Sequence, residues 1–278
     1  MSSWPQIETS LSDILSRPPP AKGMVVQYGK NPLQFGELRF PSGPGPFPLL
    51  FVIHGGFWSA TYDLAHIRHL CSRLTSLGIV TCSVEYRRVG NAGGGWPGTL
   101  LDIAGATEFF RKKLNDDPRV DLSRTAAIGH SAGGHLVFWL GGRHNVPRSS
   151  DLRSGEKPWL RAVISLAGVV DLREGWNLQL GSGAVGRLIG GGPEQFEDRY
   201  REASPIELLP MTLRQVLIHG RDDRVVPISQ SEQFVQKAKA AGDTPSLITL
   251  DRVGHFELID PESKAWDVVA RATLECLQ

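Results

Sequence analysis

Short, mainly apolar runs that recur between helix-patterned segments constrain this chain more than any other feature of its sequence. The first, LLFVIHGG at residues 49–56, is continuous and apolar, which is typical of a strand buried on both faces of a sheet. Further strand patterns follow at 79–87, 124–131, 160–172, 213–220 and 246–251, and helical patterns at about 64–77, 100–110, 132–142 and 261–277. Repeated strand–helix units joined by right-handed crossovers predict an α/β fold, with helices on both faces of a mostly parallel sheet.

The remaining segments predict how the domain is organised. Residues 1–22 form an N-terminal lead-in that closes with Pro18–Pro20, and a hairpin is expected at about 24–41. The 278-residue length then suits one α/β domain over 23–278. Residues 173–212 interrupt the strand–helix rhythm with a long stretch rich in glycine and aromatic residues. Connections this long inside a compact domain usually have a functional role, so we expect a cap or lid insertion here.

Composition and charge exclude several classes of protein. The net charge of +1 gives no basic surface for nucleic acid. The first twenty residues lack the apolar core of a signal peptide, and no run of about eighteen apolar residues could span a membrane. The three cysteines are widely spaced and odd in number, which favours a reducing compartment. We therefore expect a cytoplasmic monomer or homodimer that acts on a small molecule.

A candidate nucleophile stands in the segment AAIGHSAGGHL, residues 126–136. A strand pattern precedes Ser131 and a helical pattern follows it, as in the nucleophile elbow of G-x-S-x-G enzymes. Such an elbow forces the serine into a strained backbone conformation and needs small neighbours, which Gly129, Ala132 and Gly133 provide. The alternative is a serine in an ordinary glycine-rich turn.

A serine nucleophile needs a base and an acid that orients the base. In this architecture the acid and then the histidine follow the serine along the chain, so only His219 and His255 are possible bases. His255 is preferred because it lies in the loop between the last strand and the last helix. The acid is expected in the loop after the preceding strand, with Asp223 preferred and Asp222 as the alternative.

Backbone amides for an oxyanion are expected after the first buried strand, in the segment HGGFW. Gly55, Gly56 and Phe57 can present N–H groups there, and Ala132 can present another from the elbow. His54 is expected to hold this loop by hydrogen bonding.

Aromatic and histidine residues near these motifs leave other interpretations open. Trp58, Trp96 and Trp176 either line an aromatic substrate pocket or pack beneath the lid. His66 and His69 are three residues apart on a helix but have no carboxylate or cysteine at a matching position, so no metal site is expected. The segment GSGAVG, residues 181–186, spells a dinucleotide fingerprint but follows no buried strand, so no cofactor is expected.

Five motifs together resemble the α/β-hydrolase superfamily, among its esterase, lipase and prolyl-oligopeptidase-like members. They are HGGFW, GHSAGG, ASPIELLP, IHGRDDRVVP and GHFELID, and the resemblance covers the chain from about residue 24 onward. The HGG-x-W form, which ends at Trp58, is similar to that of kynurenine formamidases and of small feruloyl or acetyl-xylan esterases. The chain departs from hormone-sensitive-lipase relatives, which have a third glycine where Phe57 stands.

The resemblance and the motifs lead to one main hypothesis of function. It is a metal-free serine hydrolase that cleaves small carboxylic esters with a short acyl group through an acyl-enzyme. Ser131, His255 and Asp223 would be its nucleophile, base and acid. The alternatives are an arylformamidase, which hydrolyses the formamide of an aromatic amine, and a catalytically silent protein that binds ligands in the same pocket.

Overall fold

A mixed sheet forms the centre of the computed structural model, which describes residues 9–154 and 159–278. Its eight strands are β1 Met24–Gln27, β2 Phe35–Arg39, β3 Phe47–Ile53, β4 Val80–Val84, β5 Val120–His130, β6 Ala162–Leu166, β7 Arg214–Gly220 and β8 Ser246–Leu250. They lie in the order β1-β2-β4-β3-β5-β6-β7-β8. The pairs β1–β2 and β2–β4 are antiparallel and all later neighbours are parallel. The mostly parallel sheet and the leading hairpin are therefore as predicted.

Helices connect the strands and cover the sheet. They are α1 Leu11–Ser16, α2 Arg68–Ser76, α3 Gly98–Lys113, α4 Ala132–Gly142, α5 Leu172–Asn177, α6 Leu180–Ile189, α7 Glu197–Ala203, α8 Ser229–Ala240 and α9 Trp266–Cys276. Short 3-10 turns lie at Leu64–Ile67, Arg143–Asn145, Pro205–Leu208 and Phe256–Ile259. None of the described helices has both the length and the apolar character that crossing a membrane requires.

The two faces of the sheet bury separate hydrophobic clusters, and β3 shows how one apolar run serves both. Leu49 and Phe51 belong to one cluster, whereas Leu50 and Val52 belong to the other. All four side chains are essentially inaccessible to solvent. Successive side chains of a strand point to opposite faces, so a strand covered on both faces must be apolar at every position. Each fully buried aliphatic or aromatic side chain contributes about 1.5–3 kcal/mol to stability.

Three helices differ from the sequence-based expectation. The helix expected at about 64–77 is a 3-10 turn followed by α2, and the last helix begins at Trp266 instead of near Pro261. Helix α8 has no counterpart in the sequence analysis. Its sequence, SQSEQFVQKAKA, is mostly polar, and Phe234 and Ala238 are the main apolar residues that it buries. An apolar stripe this sparse gives little periodic signal.

The predicted lead-in contains α1, and its first eight residues lie outside the described part of the chain. Helix α1 begins with a capping box, in which Ser10 and Asp13 each accept a hydrogen bond from the other's backbone N–H. The predicted insertion at 173–212 holds helices α5 to α7. Its role as a lid stays a prediction.

Parallel strands direct their carboxyl ends to one edge of the sheet. The loops that follow β3, β5, β7 and β8 therefore meet there, although they are separated by long stretches of sequence. These four loops carry HGGFW, Ser131, Asp223 and His255.

Candidate active site

Ser131 occupies a sharp turn between β5 and α4. Its backbone has φ 56° and ψ −119°, a conformation that non-glycine residues rarely adopt. Strain of this kind costs about 1–3 kcal/mol and persists only where surrounding contacts hold it. The Ser131 N–H donates to the carbonyl of Leu166 at 2.8 Å, which ties the turn to the end of β6. The structure therefore places Ser131 at the predicted elbow.

The glycines beside Ser131 permit a close approach of strand and helix. A Cβ atom on Gly129 would lie 2.1 Å from the carbonyl oxygen of Gly133. A Cβ atom on Gly133 would likewise lie 2.1 Å from the carbonyl oxygen of Ile53 on β3. Both neighbours are backbone atoms that cannot move aside, so the elbow geometry requires glycine at both positions.

His255 and Asp223 form a short hydrogen bond between the last two strand-end loops. The distance from His255 Nδ1 to Asp223 Oδ2 is 2.6 Å. The other carboxylate oxygen, Oδ1, accepts the backbone N–H groups of Val225 and Val226, each at 2.8 Å. The Asp223 side chain is fully buried, whereas Asp222 is exposed. Of the two adjacent acids, only Asp223 is placed against the histidine.

The surroundings of Asp223 favour its ionised form. Burial alone raises the pKa of this carboxyl group, but hydrogen bonds from His219 and His255 and the charge of His255 lower it more. The resulting pKa is well below the ordinary value of 3.8. His219 Nε2 lies 3.5 Å from Asp223 Oδ2 and donates to the carbonyl of Val226 at 2.9 Å. This contact between His219 and the acid was not predicted, although the position of His219 at the end of β7, just before the loop of Asp223, could have suggested it.

The HGGFW loop has an unusual backbone in which three consecutive residues have positive φ. The values are 102° for Gly56, 50° for Phe57 and 54° for Trp58. Gly56 and Phe57 line the same cavity as Ser131 and His255. Gly55 packs against the elbow, because a Cβ atom there would lie 3.0 Å from the Cβ atom of Ser131. The loop is thus in direct contact with the elbow.

Ala132 adds a further amide beside the serine. It is the first residue of α4, and the first N–H groups of a helix have no acceptor within that helix. The positive end of the helix dipole lies at the same place. Negative charge that develops next to Ser131 would therefore be stabilised.

A buried cluster of charged and polar groups supports the HGGFW loop on its core side. Both ring nitrogens of His54 face oxygen acceptors, Nδ1 at 2.8 Å from the carbonyl of Gly55 and Nε2 at 3.1 Å from the carboxylate of Glu85. Arg88 lies 3.1 Å from the same carboxylate, and the Tyr86 hydroxyl donates to the carbonyl of His54 at 2.9 Å. His54 was expected in this role. The partners of His54 were not predicted. A buried histidine needs hydrogen-bond partners, and Glu85, an acid directly after strand β4, could have been recognised as one.

The three candidate pocket tryptophans are not among the described residues that line the cavity. Trp58 is fully buried, and its indole N–H donates to His135 Nδ1 at 3.1 Å. The backbone N–H of Trp96 donates to Leu188 of α6. Trp176 packs against Gly186 and Gly192. Of the two interpretations of these tryptophans, the structure favours packing against the insertion and the core.

The cavity around Ser131 is small, with a volume of about 80 Å³. Among the described residues, His66 and His130 line it besides His255. No role in the cavity was predicted for His66, and His130 was expected only to flank the site. Burial, followed by the charge of His54, lowers the pKa of His66 to about 3. Burial and the charge of His255 lower the pKa of His130 well below its ordinary value. Both rings are therefore neutral near neutral pH.

His130 also contacts His255 directly. Its Nε2–H donates to the backbone carbonyl of His255 at 3.1 Å, and the two ring centroids are 4.4 Å apart. The residue that precedes Ser131 thus fixes the loop that carries His255.

Comparison with known proteins gives one family match and many related chains. The model of the family described as BD-FAE matches residues 39–238. Esterase LipC of Mycobacterium tuberculosis is 30% identical over 84% of this chain and 60% of its own length. This chain thus spans less than two thirds of that relative. Kynurenine formamidase avaC of Aspergillus versicolor is 28% identical over 66% of this chain and 73% of its own length.

Solved structures agree with the fold. A truncated carbohydrate esterase from gut microbiota superposes with a TM-score of 0.78 at 22% identity, over 92% of this chain and 96% of its own. At this identity the similarity concerns the fold, and it confirms the fold class predicted from the sequence.

Proposed function

The chain belongs to the BD-FAE family, and from that membership and the geometry around Ser131 we propose that it is a serine hydrolase of small carboxylic esters. The observation that carries the proposal is the 2.6 Å hydrogen bond between His255 and Asp223, in a cavity that His255 shares with the strained Ser131. An ionised acid, a histidine and a serine on separate loops are the groups that acyl transfer requires.

Each group has one task in the proposed reaction. The Nδ1–H of His255 is held by Asp223, so Nε2 is the nitrogen that accepts the proton of Ser131. Ser131 Oγ bonds to the ester carbon, and the former carbonyl oxygen becomes negatively charged. Backbone amides of the HGGFW loop and of the elbow stabilise this charge, and the candidate donors are Gly55, Gly56, Phe57 and Ala132. One such donor contributes about 3–4 kcal/mol.

The tetrahedral intermediate then collapses to an acyl-enzyme. His255 passes its proton to the leaving alcohol as the bond between the ester carbon and that oxygen breaks. A water molecule repeats the cycle, giving its proton to His255 and its oxygen to the acyl carbon. Ser131 regains its proton, and the carboxylic acid is released. Asp223 stays ionised throughout, because its pKa lies far below neutrality.

The volume of the cavity supports a short acyl group. Pockets for drug-sized ligands occupy about 300–1,000 Å³, whereas this cavity holds about 80 Å³. An acetyl or propionyl ester fits that space better than a long-chain ester does.

An arylformamidase is the second candidate. It is supported by the similarity to kynurenine formamidase avaC, which extends over 73% of that protein. The rates with N-formylkynurenine and with p-nitrophenyl acetate separate the two activities. Preferred turnover of the ester supports the esterase, and preferred turnover of the formamide supports the alternative.

A fluorophosphonate probe tests the hydrolase proposal itself. We expect the wild-type chain to be labelled, Ser131→Ala to be unlabelled, and the hydrolytic rate of that variant to fall by about 10⁶-fold. Ser123→Ala is a matched control, since Ser123 lies far from the elbow at the start of β5. A wild-type chain that the probe does not label and that cleaves no substrate would support the catalytically silent alternative, whereas retained hydrolysis in Ser131→Ala would show that Ser131 is not the nucleophile.

The insertion at 173–212 is proposed to act as a lid, and its contact with the oxyanion loop supports this. Gly181 of α6 packs on the ring of Phe57 so closely that a Cβ atom would lie 2.7 Å from the ring. A movement of α6 would therefore displace the ring of Phe57. Gly181→Ala tests the contact and should change the KM for esters.

A cytoplasmic location is proposed as well, and the state of the cysteines supports it. Cys71, Cys82 and Cys276 are free and buried. Burial raises the pKa of Cys71 to about 12 and that of Cys276 to about 11, so these thiols pack as small apolar groups. Fractionation of cells that express a tagged full-length chain tests the location.

A further inference from the structure

Helix α1 contributes a side chain to the catalytic cavity. Leu11, the first residue of this helix, lines the cavity together with Ser131 and His255. Val225 and Phe256, from the loops that carry Asp223 and His255, give the cavity further apolar surface. Part of the apolar lining, Leu11, therefore comes from the N-terminal helix, outside the predicted lid.

An ion pair fastens α1 to the segment that follows His255. Arg17, directly after the helix, donates two hydrogen bonds to Asp260, from Nη1 to Oδ1 at 2.5 Å and from Nη2 to Oδ2 at 2.8 Å. The side chain of Asp260 is only 2% exposed. Bidentate pairs of this geometry are the stronger kind of charged hydrogen bond. Arg17 thus fixes the end of α1 to the residue directly after the 3-10 turn Phe256–Ile259.

Two further contacts fix the rest of the helix. The backbone N–H of Thr9 donates to Glu257 Oε1 at 3.1 Å, so the chain is also held just before α1. Ile14 is completely buried and belongs to the same hydrophobic cluster as Leu64 and Leu258. Leu11 and Ile14 are three residues apart and therefore lie on neighbouring positions of one helix face. Contacts before, within and after α1 hold Leu11 over the cavity.

We propose that Leu11 is a specificity-determining residue that limits the size of the substrate group entering the cavity, with the Arg17–Asp260 pair holding it in place. The inference rests on the proposed ester hydrolysis at Ser131. Among the described residues, Leu11 is one of the few apolar side chains around a cavity of about 80 Å³, so a change in its size changes a large fraction of the available space. Its replacement by alanine removes about three carbon atoms and leaves a space that larger substrates can fill.

The direct test compares Leu11→Ala, Leu11→Trp and the control Leu15→Ala. Leu15 lies on the same helix but is 53% exposed. Two ester series are used, p-nitrophenyl esters of increasing acyl length and acetates of alcohols of increasing size. We expect Leu11→Ala to raise kcat/KM for the longer esters relative to the shortest by about tenfold or more in one series, because a methylene group in a fitted pocket changes selectivity by about 10–200-fold. Leu11→Trp should shift the ratio the other way, and Leu15→Ala should leave it unchanged.

A second variant tests the pair that holds the helix. Arg17→Gln removes the bidentate bonds to Asp260 and leaves Leu11 intact. We expect the same direction of change as in Leu11→Ala, with urea unfolding to show that the fold persists. Unchanged ratios for both Leu11 variants in an enzyme that still hydrolyses esters would overturn this inference alone. A wild-type chain that cleaves no ester and takes no fluorophosphonate would overturn the proposed function, and this inference with it.

Discussion

His255 Nδ1 lies 2.6 Å from Asp223 Oδ2, although the two residues lie in the loops that follow different strands of the sheet. The bond is short, buried and supported by backbone N–H groups on the other carboxylate oxygen. It sets the tautomer of the histidine, because a proton on Nδ1 leaves Nε2 unprotonated and available as a base. The geometry thus favours Asp223 over the exposed Asp222 as the acid that orients His255.

Asp223→Asn should lower kcat far more than Asp222→Asn. The asparagine would offer an N–H or a neutral carbonyl to His255, so the tautomer and the charge that stabilises the imidazolium would be lost. A loss of about 10³–10⁴-fold is expected for Asp223→Asn, and less than about threefold for Asp222→Asn. Both variants remove one negative charge. A comparison of kcat at equal folded fraction therefore measures the effect of where the charge was, and not of losing a charge as such. The opposite ranking would make Asp222 the acid.

Gly133→Ala should destabilise the protein and abolish activity, whereas Gly105→Ala should not. Both glycines lie within helices, but a Cβ atom on Gly133 would overlap the backbone of β3, whereas nothing lies within 4 Å of one on Gly105. Alanine at Gly105 should raise the free energy of unfolding by about 0.5–1 kcal/mol. Urea unfolding of both variants checks the prediction. A stable, active Gly133→Ala enzyme would show that the elbow tolerates a wider spacing.

Trp58→Phe should reduce stability more than it changes selectivity. Burial lowers the pKa of His135 to about 4, so the ring is neutral. It donates from Nε2 to the carbonyl of Ala203 at 2.9 Å and accepts the Trp58 N–H at Nδ1. Phenylalanine leaves that buried acceptor unsatisfied, which costs about 1–3 kcal/mol.

The measurement for Trp58→Phe is the free energy of unfolding together with the ratio of rates for aromatic and aliphatic esters. Lower stability with an unchanged ratio is the expected result. A changed ratio with unchanged stability would instead place Trp58 in the substrate pocket.

Acid should weaken the contribution of Asp260 to stability. Burial raises the pKa of this carboxyl group, but its bonds with Arg17 lower it more, so the folded-state pKa lies below the ordinary 3.8. A carboxyl group with a depressed pKa stabilises the folded state above the unfolded-state pKa and loses that effect as the pH falls through the folded-state value. Asp260→Asn should therefore destabilise the protein at about pH 6 and by less at about pH 3. Urea unfolding of the wild type and of Asp260→Asn at both pH values measures the loss in free energy of unfolding. An equal loss at both pH values would mean that the charge of Asp260 does not contribute to stability.

The fold class and the order of the main motifs can be read from the sequence without a structure. Strand β3 is apolar at successive positions because both faces of the sheet are covered, and this local property is readable without a structure. Ser131, Asp223 and His255 each follow a strand pattern in the order that the fold requires, so their meeting at one sheet edge was predictable.

The side chains that surround those residues, by contrast, are known only from the folded chain. Leu11 lines the cavity because Thr9 and Arg17, on either side of α1, bond to Glu257 and Asp260, and the indole N–H of Trp58 donates to the buried His135. Both outcomes depend on contacts between segments far apart in the chain. Local periodicity and motif spacing carry no information about such contacts, because they arise only when the sheet brings its loops and the N-terminal helix together.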